Sequence, residues 1–391
     1  MIPKMISEMT KAPATLAMLG GGQLGRFFVT AAHELGYKVI VLDPDANAPA
    51  GLIADDHIIA AYDDPAALEQ LANRCAAATT EFENVPAAAL ETLAKKIPVH
   101  PSADAVAIAQ NRVAEKHFLR NNGFATAPFL VIEKSDDLNQ TQSQSTEIFP
   151  AILKIARFGY DGKGQARVKN IAEAQQAFAD FNAPCVLEKR VKLDLEVSVV
   201  LARNSSGECQ SFTLAENLHS NGILDISIVP ARTSAELLSK AESIAKQVAQ
   251  HLNYIGVLTV EFFISNGELL VNEIAPRPHN SGHYTLDGCV THQFEQQVRA
   301  MCNLPLGTPK LHSASVMVNL LGDLWFHKNS EEHCEPDWAI LNKIPNLKLH
   351  LYGKQSARAG RKMGHFTVVD SDAREAVKTA LAARAAIGVK E

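Results

Sequence analysis

The 391-residue sequence predicts an α/β protein of two or three domains, beginning with an open parallel α/β domain. Three observations predict it. From Leu16 onward short apolar strands alternate with amphipathic helices, and the first strand runs into a glycine turn. Between Thr259 and His283 two apolar runs, each carrying one carboxylate, flank a turn. The composition shifts before Pro150 and again after Leu304.

Hydrophobic residues at 47% and charged residues at 20% describe an ordinary soluble globular protein with ample core. A net charge of −6 gives no reason to expect nucleic acid. No apolar run approaches the ~20 residues of a membrane helix. The six cysteines are scattered without a C-x-x-C pair. They read as reduced core residues of a cytoplasmic protein rather than as disulfides or a zinc site. Residues 1–14 carry charges without an apolar core and read as a disordered lead-in, not a secretory signal.

Leu16 to Leu19 is a buried strand, followed by Gly20-Gly21-Gly22-Gln23-Leu24-Gly25, a helix from Arg26 to Leu35, and a strand from Lys38 to Leu42 ending in Asp43. This is a βαβ unit. The glycines lack strict G-x-G-x-x-G spacing, so a dinucleotide site is only one reading. The pattern supports a helix N-terminus whose free N–H groups could seat one phosphate. The alternative is a tight turn that only lets strand and helix pack. A strand at His57 to Ala60, a helix at Pro65 to Arg74, the stretch Thr79 to Asn84, a helix at Ala87 to Lys95 and a strand near Val99 continue the alternation. Ligands are expected at the carboxyl ends of such strands. Glu81 lies at one, where it could bind ribose hydroxyls; Glu83 competes, and a helix cap is the third reading.

One helix is expected from Ala105 to Asn122, carrying Arg112 and Lys116. Strands follow at Phe129 to Ile132 and Pro150 to Ile155, the second with Lys154 inside it. A buried lysine needs an anionic partner. The loop Gly159-Tyr160-Asp161-Gly162-Lys163-Gly164, ahead of Gln165, could fold over a polyphosphate and donate N–H groups. It is not a Walker pattern, and a flexible hairpin is the alternative. After a helix at Ile171 to Phe181, strands run from Cys185 to Val191 and from Glu196 to Leu201. Adenine is commonly read by backbone groups of a short linker, and Glu188, Lys189, Arg190 and Val191 would serve. Glu196 could then hold a ribose. His219 stands in a polar loop beside Glu216 and Asn217, and Ala235 to Leu252 is a core helix.

In the hairpin, register decides whether Glu261 and Glu273 meet. A two-residue Asn266-Gly267 turn sets Glu261 opposite Asn272 and puts Glu273 on the other face. A three-residue loop from Ser265 to Gly267 sets Glu261 opposite Val271, and the two acids share a face. Side by side they repel unless a cation lies between them, and oxygen ligands alone suit Mg2+ with phosphates. Two solvated acids are the alternative. Beyond Gly307 come strands at Ala314 to Leu320, Leu347 to Leu351 and Phe366 to Val369, and a helix at Ala373 to Ala386. The basic loop Lys354 to Lys362 is either solvated surface or a reach back to a substrate phosphate.

Together the Gly20–Gly25 turn, Glu81-Phe82-Glu83-Asn84, the 159–164 loop, Glu188-Lys189 with Glu196-Val197-Ser198, Asn272 to His283 and Arg358 to Gly364 resemble the ATP-grasp enzymes. Among these they are most similar to the N5-carboxyaminoimidazole ribonucleotide synthase family, over nearly the whole chain from Leu16. The resemblance implies an α+β ATP-grasp architecture: a pre-ATP-grasp domain at 15–108, an ATP-grasp domain at 109–305 and a small C-terminal α+β domain at 306–391. It implies ATP-dependent carboxylation of 5-aminoimidazole ribonucleotide by bicarbonate, through carboxyphosphate, in purine biosynthesis. ATP and Mg2+ are the implied cofactors, a homodimer the implied assembly, and a separate mutase the implied recipient of the product.

By the same resemblance, Glu261 and Glu273 would hold Mg2+. Arg112, Lys154, residues 159–165, Glu188 to Val191, Glu196, His219, Asn272 and Glu273 would hold ATP. Gln23, Leu24, Glu81, Tyr160, Asp161, Lys354 and Arg361 would hold the ribonucleotide. Arg277, His279, Asn280 and Lys163 would stand at the reacting groups. A sister ligase that formylates glycinamide ribonucleotide is the nearest competitor, and a non-catalytic nucleotide-binding regulator is the reading from another class.

Overall fold

The structure is a computed structural model, and it describes residues 14–141, 148–157, 159, 164–326 and 333–389. The first sheet holds four parallel strands, β1 (Thr15–Leu19), β2 (Lys38–Leu42), β3 (Asp56–Ile58) and β4 (Ala77–Thr80), in the order β3-β2-β1-β4. Its central strands are covered on both faces, which is why they read as unbroken apolar runs. The strand order reverses between β1 and β4, so the chain leaving Leu19 and the chain leaving Thr80 flank a crevice. Val99 makes only a single bridge to Ala78.

A second, antiparallel sheet holds β5 (Phe129–Ile132), β6 (Ala151–Ile155), β7 (Gln165–Val168) and β8 (Cys185–Lys189), ordered β5-β8-β6-β7. The rest of the strands form one sheet: β9 (Leu195–Arg203), β10 (Cys209–Ser211), β11 (Ala215–Ser220), β12 (Ile223–Val229), β13 (Gly256–Ser265), β14 (Glu268–Ala275), β15 (Ala314–Leu321), β16 (Leu347–Leu351) and β17 (Lys362–Asp370). Their order is β14-β13-β9-β11-β12-β15-β17-β16, with β10 beside β9. The β12–β15 ladder carries this sheet across residue 306, so the C-terminal strands extend the central sheet. The helix Ala235–His251, capped by Ser234, packs Ala241, Ala245 and Val248 against Val199, Leu258 and Val260.

Two local expectations are corrected. The single helix expected from Ala105 to Asn122 is two, Ala103–Ala109 and Arg112–Asn121. The break has a cause on each side. The Asn111 side chain caps the second helix by accepting from Val113 N at 3.0 Å. The Gln110 amide turns away to donate to the carbonyls of Glu83 and Val85, at 2.5 and 2.6 Å.

The hairpin follows neither expected register. Its turn has two residues, Asn266 and Gly267, with φ of 51° and 76°, and it pairs Ser265 with Glu268. That register holds as far as Phe262 opposite Val271. Then β14 carries one extra residue, Asn272, and Glu261 comes to lie directly opposite Glu273. The two acids share a face because of a bulge, not because of the turn.

Candidate active site

A cavity of about 200 Å3 opens at the crevice of the first sheet. Gly21, Gly22 and Gln23 after β1, Asp43 and Asp45 after β2, and Glu81 and Phe82 after β4 form one wall, with Tyr62 beside them. Lys354 and Arg361, from the loop joining β16 to β17, form the other.

The glycine turn serves a purpose different from the one expected. The Glu81 carboxylate is buried and accepts from Gly22 N at 2.5 Å and Gly25 N at 2.7 Å. Gly21 N donates to Asp43 at 2.6 Å. The free N–H groups read as a phosphate seat are therefore filled by side-chain carboxylates. A Cβ at Gly20 would stand 2.4 Å from the Glu81 Cγ, and one at Gly22 would stand 2.5 Å from its Oε1. The glycines are small to admit an acid. Burial raises the Glu81 pKa, opposed by these two hydrogen bonds.

The opposed acids of the hairpin lie on β13 and on the edge strand β14. Burial, then the charge of Glu273, raises Glu261 to about 7. Arg112 donates to Glu273 at 3.2 Å and to the Gly159 carbonyl at 2.9 Å. Lys154 does find its anion: Glu188 lies 3.0 Å away. The same carboxylate also takes Lys116, at 2.8 Å. Burial works against an ionised Glu188, but Lys154 and Lys116 overcome it and hold its pKa down at about 2. On the far side His219, which lies in strand β11 with Glu216 and Asn217 rather than in the expected polar loop, meets Glu196 through Nδ1 at 2.8 Å. Burial disfavours its charged form, yet the bond to Glu196 and the nearby acids raise its pKa. Two facing acids with one guanidinium on one of them leave negative charge uncompensated. An all-oxygen pair of this kind fits a divalent cation such as Mg2+.

After β14 the chain turns through Arg277 to His283. Arg277 is held by Glu83 in a two-point pair, Nε at 2.5 Å and Nη2 at 3.0 Å. His279 Nδ1 accepts from Ser281 N at 3.3 Å, so in the neutral ring the proton sits on Nε2, which faces Glu261 at 3.5 Å. Burial and then the Arg277 charge hold His279 well below its ordinary value, in the neutral form. Asn280 is buried, and its amide exchanges hydrogen bonds with Asn319 of β15 at 2.9 and 2.6 Å. It anchors the loop to the sheet rather than facing the acids. Beneath the loop, Ser281 continues a buried chain of hydroxyls and amides through Ser198, Asn217 and Ser227.

Among the remaining expected residues, Gln23 lines the cavity, whereas the Leu24 side chain lies in the core with Phe28 and Val29. Lys189 N and Arg190 N donate to Pro128 and Pro150 carbonyls, at 2.8 and 2.9 Å, so neither amide is free for adenine. Val191 follows at the strand end. Gly164, at φ +67°, packs on Ile155, and Gln165 pairs with Lys154 across the β6–β7 ladder. Tyr160, Asp161, Gly162 and Lys163 lie outside the described residues. Asp43, Tyr62, Phe82, Glu115 and Lys116 are at the site without having been expected there. Asp43 carried a signal, an acid at the carboxyl end of a parallel strand. Lys116 carried none.

Family models match three consecutive stretches of the chain: a ribonucleotide synthetase preATP-grasp domain at 13–110, an ATP-grasp domain at 117–294, and a phosphoribosylaminoimidazole carboxylase C-terminal domain at 315–379. The N5-carboxyaminoimidazole ribonucleotide synthase of Brucella melitensis is 46% identical over 361 residues, covering 91% of this chain and 96% of that protein. The Bacillus subtilis synthase is 43% identical, covering 90% and 91%. An ADP complex of an N5-carboxyaminoimidazole ribonucleotide synthetase superposes with a TM-score of 0.88 at 40% identity, covering 95% and 97%. The Aspergillus clavatus synthase, solved with ADP and 5-aminoimidazole ribonucleotide, gives 0.84 at 31% identity, covering 96% and 99%.

Proposed function

The chain belongs to the N5-carboxyaminoimidazole ribonucleotide synthase family of ATP-grasp ligases, and from that premise we propose how its own side chains divide the work. It is an ATP-dependent ligase of purine biosynthesis acting on 5-aminoimidazole ribonucleotide. The observation that carries the assignment of roles is the pair of facing acids, Glu261 and Glu273, with Arg112 on one side and the neutral His279 on the other.

Glu261 and Glu273 would hold Mg2+, which when bound neutralises phosphate charge. Arg112 and Lys154 meet the phosphates of ATP, so the chain's part in phosphoryl transfer is positioning and charge stabilisation. Bicarbonate oxygen attacks the γ-phosphorus and ADP leaves, giving carboxyphosphate. The ribonucleotide amine then attacks the carboxyl carbon, phosphate leaves, and the amine gives up a proton. Glu83 holds the Arg277 guanidinium in a fixed plane, which suits it to orient a trigonal anion. His279 Nε2–H faces Glu261 at 3.5 Å, which suits an orienting role rather than that of a base. Asn280 acts one step removed, by fixing the loop through Asn319.

Lys354 and Arg361 face the cavity as the only cationic residues on its wall among the described residues, and so suit the ribonucleotide phosphate. Glu81 and Gln23 lie across from them, where the ribose and base would sit. His219 and Glu196 would lie at the nucleotide sugar. The division at 15–108, 109–305 and 306–391 is retained as the functional one, with the third part joined to the second by a shared sheet. The chain has no helix long and apolar enough to cross a membrane among the described residues. A cytoplasmic homodimer that passes its product to a separate mutase completes the proposal.

The test is phosphate release from ATP and Mg2+ in labelled bicarbonate, with and without 5-aminoimidazole ribonucleotide. Stimulation with label entering an acid-labile product is expected. Stimulation by glycinamide ribonucleotide with formate instead would replace the substrate, and no stimulation by either would overturn the ligase reading.

A further inference from the structure

The turn of the hairpin does not by itself bring the two acids together. Continued past Phe262–Val271, its register would set Glu261 opposite Asn272 and leave Glu273 on the opposite face. The extra residue at Asn272 is what moves Glu273 across. A bulge on an edge strand leaves backbone groups outside the ladder, and buried ones need partners. Two consecutive residues of the helix Arg112–Asn121 supply them. Lys116 Nζ donates to the Asn272 carbonyl at 2.9 Å, and Ile274 N donates to Glu115 Oε1 at 2.5 Å. Both side chains are almost fully buried, Glu115 at 2% and Lys116 at 3% exposure.

Lys116 is also bonded to Glu188, whose other oxygen holds Lys154. One carboxylate needs one cation, and Lys154 already supplies it. A second buried lysine is costly unless it does something else, and among the described residues its other bond is to the Asn272 carbonyl. The same ammonium therefore joins Glu188 of β8, and through it Lys154 of β6, to the bulge that aims Glu273.

We propose that Glu115 and Lys116 are positioning residues of the metal–phosphate site: they hold the β14 bulge, and with it the face from which Glu273 points, and Lys116 ties that face to Lys154 through Glu188. The inference rests on the reading of Glu261 and Glu273 as the cation pair. It gives both residues a role through backbone groups, with no contact to ATP or metal required.

The test is Mn2+ affinity of the full-length protein with ADP, read by electron paramagnetic resonance, beside steady-state kinetics. Lys116→Met keeps the buried stem and leaves Glu188 paired with Lys154, so it should fold. It is expected to weaken Mn2+ binding by about tenfold, the loss of one buried charged hydrogen bond. The metal concentration for half-maximal turnover should rise by a similar factor, while KM for the ribonucleotide stays within about twofold. Lys116→Arg, which keeps a donor, should recover most of the affinity. Glu115→Ala should weaken Mn2+ in the same direction, and it carries the test alone if Lys116→Met does not fold. Glu273→Gln is the reference. If it loses Mn2+ while Lys116→Met and Glu115→Ala bind it as wild type does, the clamp is refuted and the cation pair stands. If Glu273→Gln itself binds Mn2+ unchanged, the cation-pair reading falls and the clamp with it.

Discussion

Lys354 should make ribonucleotide capture pH-dependent in the alkaline range. Its ammonium donates to the Lys362 carbonyl at 2.7 Å and lies 5.6 Å over the Tyr352 ring, inside the cavity wall. Burial lowers its pKa to about 8, with Arg361 adding repulsion and Glu81 pulling the other way. The kcat/KM for the ribonucleotide reports protonation in the free enzyme. With a pKa of about 8, Lys354 is ~90% charged at pH ~7 and ~10% charged at pH ~9. Rising pH thus removes the cation that meets the phosphate dianion, and kcat/KM should fall about tenfold across that interval. The kcat should hold, because a bound dianion raises the lysine pKa and restores the charge. Lys354→Arg stays protonated throughout and should flatten the profile. The assay is phosphate release at saturating ATP and fixed ionic strength, with the ribonucleotide varied at each pH. A wild-type profile flat to pH ~9.5, or an identical fall in Lys354→Arg, would refute the reasoning.

Two further outcomes are expected. Gly25→Ala places a Cβ 2.7 Å from the Gly20 carbonyl and 3.2 Å from Glu81 Oε2, so urea denaturation should show a loss of about 1–3 kcal/mol, with a raised KM for the ribonucleotide. A thiol reagent added to native protein at neutral pH should label Cys334 first: Cys75, Cys185, Cys289 and Cys302 are buried with thiols pushed up to about 11–12, and the partly exposed Cys209 is pushed up to about 11.

What could be read from the sequence was what depends on local pattern. The β1–glycine–helix unit, Lys154 within a strand and the acid on each arm of the hairpin all carry their signal within a few residues. Contacts between distant segments were not legible. Glu81 was visible as an acid at a strand end, but that it fills the glycine turn depends on a separation of 59 residues. The pairing of Arg277 with Glu83 spans 194 residues, and neither residue announces the other. The bulge at Asn272 is the plainest case. Nothing at Asn272 distinguishes it from a regular strand residue, because the groups that stabilise the irregularity sit on a helix more than 150 positions earlier. The break at Gln110-Asn111 was partly legible, since Asn is a good cap, but an apolar repeat on both sides hid it.

The nine-stranded sheet joins the acid pair and the basic loop in one frame. Glu273 lies on β14 and Arg361 immediately precedes β17, and the strands between are laddered edge to edge. Six ladder steps separate these strands along a single plate, yet His279, 3.5 Å from Glu261, also feels the charge of Lys362 at the start of β17, so the plate curls to bring its ends toward one another. The small sheet, β5 to β8, shares no strand pairing with that plate among the described residues. The helix Arg112–Asn121 ties it on, through Lys116 to Glu188, Arg112 to the Gly159 carbonyl and Arg112 N to the Ala156 carbonyl, and reaches the plate through Lys116 and the Asn272 carbonyl. Displacing the small sheet would break these few bonds and no ladder, so the strand bearing Lys154 is joined to the acid pair less firmly than the strands of the plate are to one another.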